Sequence, residues 1–213
     1  MPKDIFIMTT TEKYFVSYNG VHKLCQKSAE TLLKTIGKPD VIVAIGGGGF
    51  IPSRILRTFL KHSGEKNIPI QAIGLSLYED MGSQDKIGKE VIRTQWLDFG
   101  ALEKSFDSLI GKNILIVDEV DDTRTTLHYA LTELYKDVKR KADALGRDMS
   151  DTKFSIFVVH DKKKPKKADV NKDYMNGGIY LCGEEVPDRW IAYPWEADDI
   201  DEHTKKAHAQ GHD

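Results

Sequence analysis

Residues Ile114-Leu115-Ile116-Val117 are apolar without interruption, and the chain passes directly from them into Asp118-Glu119-Val120-Asp121-Asp122, four acids in five positions. An apolar run this short and this β-branched is a strand covered on both faces. Val41–Ile45, Ile68–Leu77 and Phe154–Val159 have the same character. Between these runs, Tyr18–Thr35, Ser53–His62 and Thr125–Lys141 carry apolar residues at helical spacing. Strands alternating with helices predict an α/β fold with a parallel sheet. In such a sheet, ligands sit beyond the carboxyl ends of the strands, where the acids begin.

The 213 residues suffice for one domain, or one domain with a small lobe. A hydrophobic fraction of 40% provides a core, and no apolar stretch is long enough to span a bilayer. The N-terminus lacks an apolar region and a cleavage site, so neither a signal peptide nor an anchor is expected. A net charge of -2 argues against bulk nucleic-acid binding. Cys25 and Cys182 are expected as reduced thiols in a cytosolic protein.

Adjacent Asp118 and Glu119 repel unless a cation or a hydroxyl-rich ligand lies between them. A sugar diol with Mg²⁺ is such a partner. Thr123, Thr125 and Thr126 follow, and then a helix begins. Backbone N–H groups at a helix start, reinforced by hydroxyls, hold a phosphate. One strand–loop–helix unit can therefore grip a phosphorylated sugar. A plain helix cap needs one of these acids, not four. An EF-hand starting at Asp118 fails, because Thr123 and Tyr129 stand where Gly and Glu are required.

Gly46-Gly47-Gly48-Gly49 follows the strand Val41–Ile45. Four glycines in a folded chain are entropically costly and imply unusual dihedrals or close backbone approach to a ligand such as pyrophosphate. A dinucleotide-binding G-x-G-x-x-G fails here, since Ile51 or Pro52 occupies the last position, and no Walker A sequence exists in the chain.

The run 114–126 resembles the PRPP-binding signature of type I phosphoribosyltransferases, where PRPP is 5-phosphoribosyl-1-pyrophosphate. The resemblance implies that Asp118 and Glu119 contact the ribose hydroxyls directly or through Mg²⁺. It makes Asp122 the general acid/base beside N7 of a base, and gives Asp121, Thr123, Arg124, Thr125 and Thr126 to the 5′-phosphate loop. The family commonly has Gly at position 124; Arg124 either reinforces the phosphate grip or points to solvent. Gly48-Gly49-Phe50-Ile51-Pro52 followed by Arg54 resembles the pyrophosphate loop of xanthine–guanine enzymes, which often carry a basic residue where this chain has Gly47; Gly47, Gly48 and Gly49 are given to the phosphates. Lys162 matches the lysine that donates to a purine 6-oxo group, with a register slip to His160 as the alternative. Trp190-Ile191-Ala192-Tyr193-Pro194-Trp195-Glu196 resembles the base-binding segment. There Trp190 would stack on the purine, the Ile191 backbone would read its edge, and Glu196 would accept from N1 or a 2-amino group. Trp195 is expected in the core.

The resemblance extends from about Tyr18 to Ile200 and is strongest to fungal hypoxanthine–guanine phosphoribosyltransferases. It implies a single domain: a core over about 18–161, a flexible catalytic loop over about 79–99, and a base-binding segment in a small hood lobe over about 162–200. The polar stretch after Tyr78 would close over the reaction centre. The implied reaction joins PRPP to hypoxanthine or guanine, releasing pyrophosphate and IMP or GMP in purine salvage, in a cytoplasmic homodimer or tetramer. A xanthine-specific enzyme, a PRPP-sensing regulator and a nucleotide-binding module without turnover are the alternatives. The polar tail 203–213, with His203, His208 and His212, is expected to fray in solvent.

Overall fold

The computed structural model describes residues 13–61, 63–78, 90–98 and 108–213. Strands β1 (Tyr14–Phe15), β2 (Val41–Ile45), β3 (Ile70–Tyr78), β4 (Glu90–Gln95), β5 (Asn113–Asp121), β6 (Lys153–Lys162), β7 (Tyr180–Val186) and β8 (Ile191–Ala192) are interleaved with helices. The helices are α1 (Tyr18–Ile36), α2 (Phe50–Phe59), α3 (Thr125–Leu145), the single turn α4 (Lys172–Met175) and α5 (Ile200–Ala209). The main sheet has the order β4-β3-β2-β5-β6-β7, and a separate parallel pair joins β1 to β8. Pairing is parallel from β3 through β7, while β4 runs antiparallel to β3.

The apolar runs are continuous because both faces of the sheet are covered. Val41, Val43, Ile45, Ile114, Ile116 and Phe154 face α3, packing with Leu127, Leu131, Leu134 and Val138. Ile42, Leu115, Val117 and Phe157 point to the other side, toward Val21, Cys25 and Leu32 of α1 and Leu56 of α2. Every residue of β2 is buried, and each such aliphatic side chain contributes about 1.5–3 kcal/mol by leaving water. Helix α1 starts where Ser17 accepts from Gly20 N at 2.9 Å, a cap that satisfies one of the free N–H groups of the first turn.

Three expectations need correction. The stretch 79–99 is not loop throughout: its later part, Glu90–Gln95, is strand β4. Arg93 of β4 stacks on Trp96, 4.1 Å from the ring centroid, and pairs with Glu133 of α3, while Trp96 Nε1 donates to Asp137 at 2.7 Å. Residues 79–89 and the Tyr78 side chain lie outside the described residues. Second, α2 begins at Phe50, directly after the glycines, rather than at Ser53. Third, the tail is not frayed. Asp199 caps α5 by accepting from Glu202 N at 3.0 Å. His203 is buried and bonds Val16 O at 2.8 Å, and His212 stacks on Tyr14 at 3.8 Å. Sequence spacing alone did not reveal that β1 would be there to receive these imidazoles. Cys25 and Cys182 are both free thiols, and burial pushes Cys25 up to about 12.

Candidate active site

Beyond the carboxyl ends of β2 and β5 lies a cavity of about 360 Å³, bordered by Gly46, Ser76, residues 118–124 and Thr126. Strand β5 continues four residues past its apolar core, so Asp118 and Asp121 remain held in the sheet by pairing with β6. Asp118 is only 7% exposed. Burial first, and the neighbouring Glu119 second, hold its carboxyl well above the usual range. Asp118 Oδ1 accepts from Glu119 N at 2.9 Å, while Oε2 of Glu119 is buried with no hydrogen-bond partner. Two crowded carboxylates with an unpartnered oxygen form a donor set suited to a cation or a hydroxyl-rich ligand.

The glycines explain how this pair fits. A Cβ on Gly48 would overlap the carboxylate of Glu119. Close approach was expected at this loop; its partner here is Glu119. Gly49 is hemmed in by backbone, with a Cβ there lying 2.5 Å from Val117 O and 2.6 Å from Ile45 O. Gly47 has φ of 81° in open space, a conformation glycine adopts without strain.

Asp122 stands at the cavity edge. Burial alone would raise its pKa, but the hydrogen bond from Lys164 and the charge of Lys162 prevail and lower it. Lys164 Nζ is 2.7 Å and Lys162 Nζ 3.5 Å from Asp122 Oδ1. Lys162 thus reaches the acid beside which the resemblance places the base. His160 does not offer a second register, for it is wholly buried with Nδ1 2.8 Å from the Tyr193 hydroxyl.

Thr123 and Thr125 hydroxyls lie 3.0 Å apart at the start of α3. That helix has no side-chain cap, so its first N–H groups are open to an anion. Arg124 has φ of 67°, the left-handed conformation that suits the glycine common in the family at this position. Its guanidinium takes neither expected direction. It turns back onto Asp121 (Nε to Oδ2, 2.7 Å) and Asp161 (Nη2 to Oδ2, 3.2 Å), with its Cζ 4.8 Å from the Tyr180 ring centroid.

The base-binding set is brought together only in part. Trp190 is 65% exposed, Ile191 is buried in β8, and Glu196 is exposed in the turn Pro194–Glu196. Trp190 and Glu196 border a different hollow with Lys13 and Phe15, not the cavity at Asp118. Trp195 is half-buried and stacked on Tyr193 at 4.6 Å, packed against the core as expected. Tyr193 was not singled out from sequence. Its hydroxyl donates to Glu119 O at 2.9 Å, tying this segment to the acid pair. Asp161, Lys166 and Tyr180 were missed as well. The only trace in sequence is His160-Asp161 at a strand end, ahead of a lysine cluster.

Residues 17–177 match the model of the phosphoribosyl transferase domain. The chain is 59% identical to xanthine phosphoribosyltransferase 1 of Saccharomyces cerevisiae, over 97% of this chain and 100% of that protein. It is also 59% identical to hypoxanthine-guanine phosphoribosyltransferase of Schizosaccharomyces pombe, over 90% and 92%. Among solved structures, a hypothetical protein from Neisseria gonorrhoeae with bound ppGpp aligns with a TM-score of 0.72. It is 37% identical and covers 94% of this chain and 98% of its own.

Proposed function

Because the chain belongs to the phosphoribosyl transferase family, we propose that it transfers the phosphoribosyl group of PRPP to N9 of hypoxanthine or guanine, giving IMP or GMP and pyrophosphate. The observation that carries this reading is the convergence of Asp118, Glu119 and Asp122 with the uncapped start of α3 on one cavity. N–H groups and hydroxyls at 123–126 receive the 5′-phosphate. Asp118 and Glu119 face the ribose and place negative charge where positive charge grows as pyrophosphate departs. Asp122, already ionised, accepts a proton from the purine, while Lys162 donates to its 6-oxo group. Fixing both substrates in line supplies much of the remaining acceleration.

The acid pair fits Mg²⁺, on the strength of the buried, unpartnered Oε2 of Glu119. Among the described residues there is no cluster of three or more ligating side chains. The proposed ion would be held by one or two carboxylates and by substrate oxygens. When bound, Mg²⁺ supplies charge neutralisation for the leaving pyrophosphate. The guanine nucleotide in the Neisseria structure is of the proposed ligand class. Among the described residues no helix is long and apolar enough to cross a membrane. A cytoplasmic homodimer completes the proposal, on the resemblance.

A xanthine-directed enzyme is the second reading, favoured by the relative of equal identity that carries that name. Initial rates with PRPP and Mg²⁺ against hypoxanthine, guanine, xanthine and adenine separate the two. Turnover of hypoxanthine and guanine is expected; turnover of xanthine alone selects the second reading. No turnover of any base would overturn both.

Gly48→Ala tests the acid pair. The new methyl displaces the Glu119 side chain, a flexible neighbour, so the fold survives and kcat/KM falls by roughly tenfold or more. Gly49→Ala meets rigid strand carbonyls instead and should cost about 1–3 kcal/mol of stability by urea denaturation. Full activity in Gly48→Ala would remove Glu119 from the site.

A further inference from the structure

Lys166 lies in what the sequence presents as a solvated basic loop, yet its side chain is only 14% exposed. Its Nζ is 2.6 Å from Asp161 Oδ1 and 3.5 Å from Asp121 Oδ1. It also donates to the carbonyls of Asp121 at 2.8 Å, Asp122 at 3.1 Å and Lys162 at 3.0 Å. Arg124 meets the other oxygens of the same two carboxylates, and the Tyr180 hydroxyl is 2.8 Å from each of those oxygens. Two anions and two cations thus close a charge-neutral ring behind the loop at 121–126. Lys167 N adds a bond to Thr123 O at 3.0 Å.

We infer that Lys166 is a positioning residue for PRPP: through the ring with Asp121, Asp161, Arg124 and Tyr180 it orients the phosphate loop without touching substrate. A trans peptide points its C=O and N–H in opposite directions. Holding the Asp122 carbonyl toward Lys166 therefore turns the N–H of Thr123 away from it, and both residues line the cavity. Arg124, pinned at both carboxylates, keeps the left-handed turn that starts α3.

This inference rests on the proposed phosphoribosyl transfer, and its test separates the two. Steady-state kinetics and calorimetric PRPP binding are measured for the wild type, Lys166→Met, Lys166→Arg and Tyr180→Phe. Lys166→Met is expected to raise KM and Kd for PRPP about tenfold or more, the loss typical of a charge-assisted bond. The KM for the purine should change less than about threefold, since no purine contact is removed. Lys166→Arg keeps the charge but not the compact ammonium, so it should recover only part of the PRPP affinity lost in Lys166→Met. Tyr180→Phe, which removes one hydroxyl from the ring, should weaken PRPP by about threefold, and it decides the matter if Lys166→Met does not fold. Unchanged PRPP affinity in Tyr180→Phe and in any folded Lys166→Met, or an equal rise in both KM values, overturns the inference. A wild type that binds PRPP but turns over no base overturns the functional reading instead, and the calorimetric comparison still tests the ring.

Discussion

Asp122→Asn is expected to lower kcat by about 100-fold or more, the usual worth of a positioned acid/base. The KM for PRPP should stay nearly constant, because the phosphate loop and the acid pair are untouched. Asp122 is held ionised by Lys164 and Lys162 against the opposing effect of burial, so it begins the reaction as a proton acceptor. An amide in its place keeps the shape and loses that capacity. Its side chain is 46% exposed, so loss of its ion pairs should alter stability little. Initial rates for the variant, alongside its melting curve, check both statements. A kcat within threefold of wild type would take proton transfer away from Asp122. A large rise in the KM for PRPP with kcat preserved would make it a binding residue instead.

Stability is expected to fall by about 2.5 kcal/mol between pH 7.5 and 4.5 from His160 alone. The Tyr193 hydroxyl gives its proton to Glu119 O, so its oxygen accepts from Nδ1–H of His160, and Nε2 is left as a buried acceptor. Burial first, and the charge of His212 second, push this imidazole down to about 4 from an ordinary 6.5. A base with a depressed pKa contributes stability that is complete above its unfolded value. That contribution is lost as pH falls from about 6.5 toward 4. Glu184, with Oε2 4.0 Å from Nε2, leaves the depression in place. Urea denaturation at pH 7.5, 6.0 and 4.5 should show the decline in the wild type and a flatter profile in His160→Gln. Equal slopes would mean that other groups govern acid stability.

These two residues mark where the sequence was legible. Asp122 was readable because its cues are local: an apolar strand, an abrupt set of acids and a helix start lie within fourteen residues of one another, Ile114 to Leu127. Strand ends in a parallel sheet project ligand-binding groups by construction, so the acid-rich end of β5 follows from pattern, while the role given to Asp122 comes from the family resemblance. His160 was not readable. Its neighbours Tyr193, Tyr14 and His212 come from distant parts of the chain, and nothing in the periodicity of β6 announces them. Arg124 lies between these cases. Its departure from glycine was visible, but its direction depended on Asp161, 37 residues away. The tail was misread for the same reason, since α5 is held by β1, nearly 200 positions earlier.

The sequence by itself determined the layered α/β fold, the buried strands and the acid-rich strand end, because each follows from periodicity and burial over a few consecutive residues. Tertiary structure alone decided which charges neutralise one another. Lys164 belongs to Asp122, Lys166 and Arg124 belong to Asp121 and Asp161, and Gly48 makes room for Glu119. The physical reason is that a lysine in a basic loop reads the same in any register of the chain. Only the folded backbone brings it within 3 Å of one buried carboxylate rather than another, and only there is its charge worth more than it would be in water.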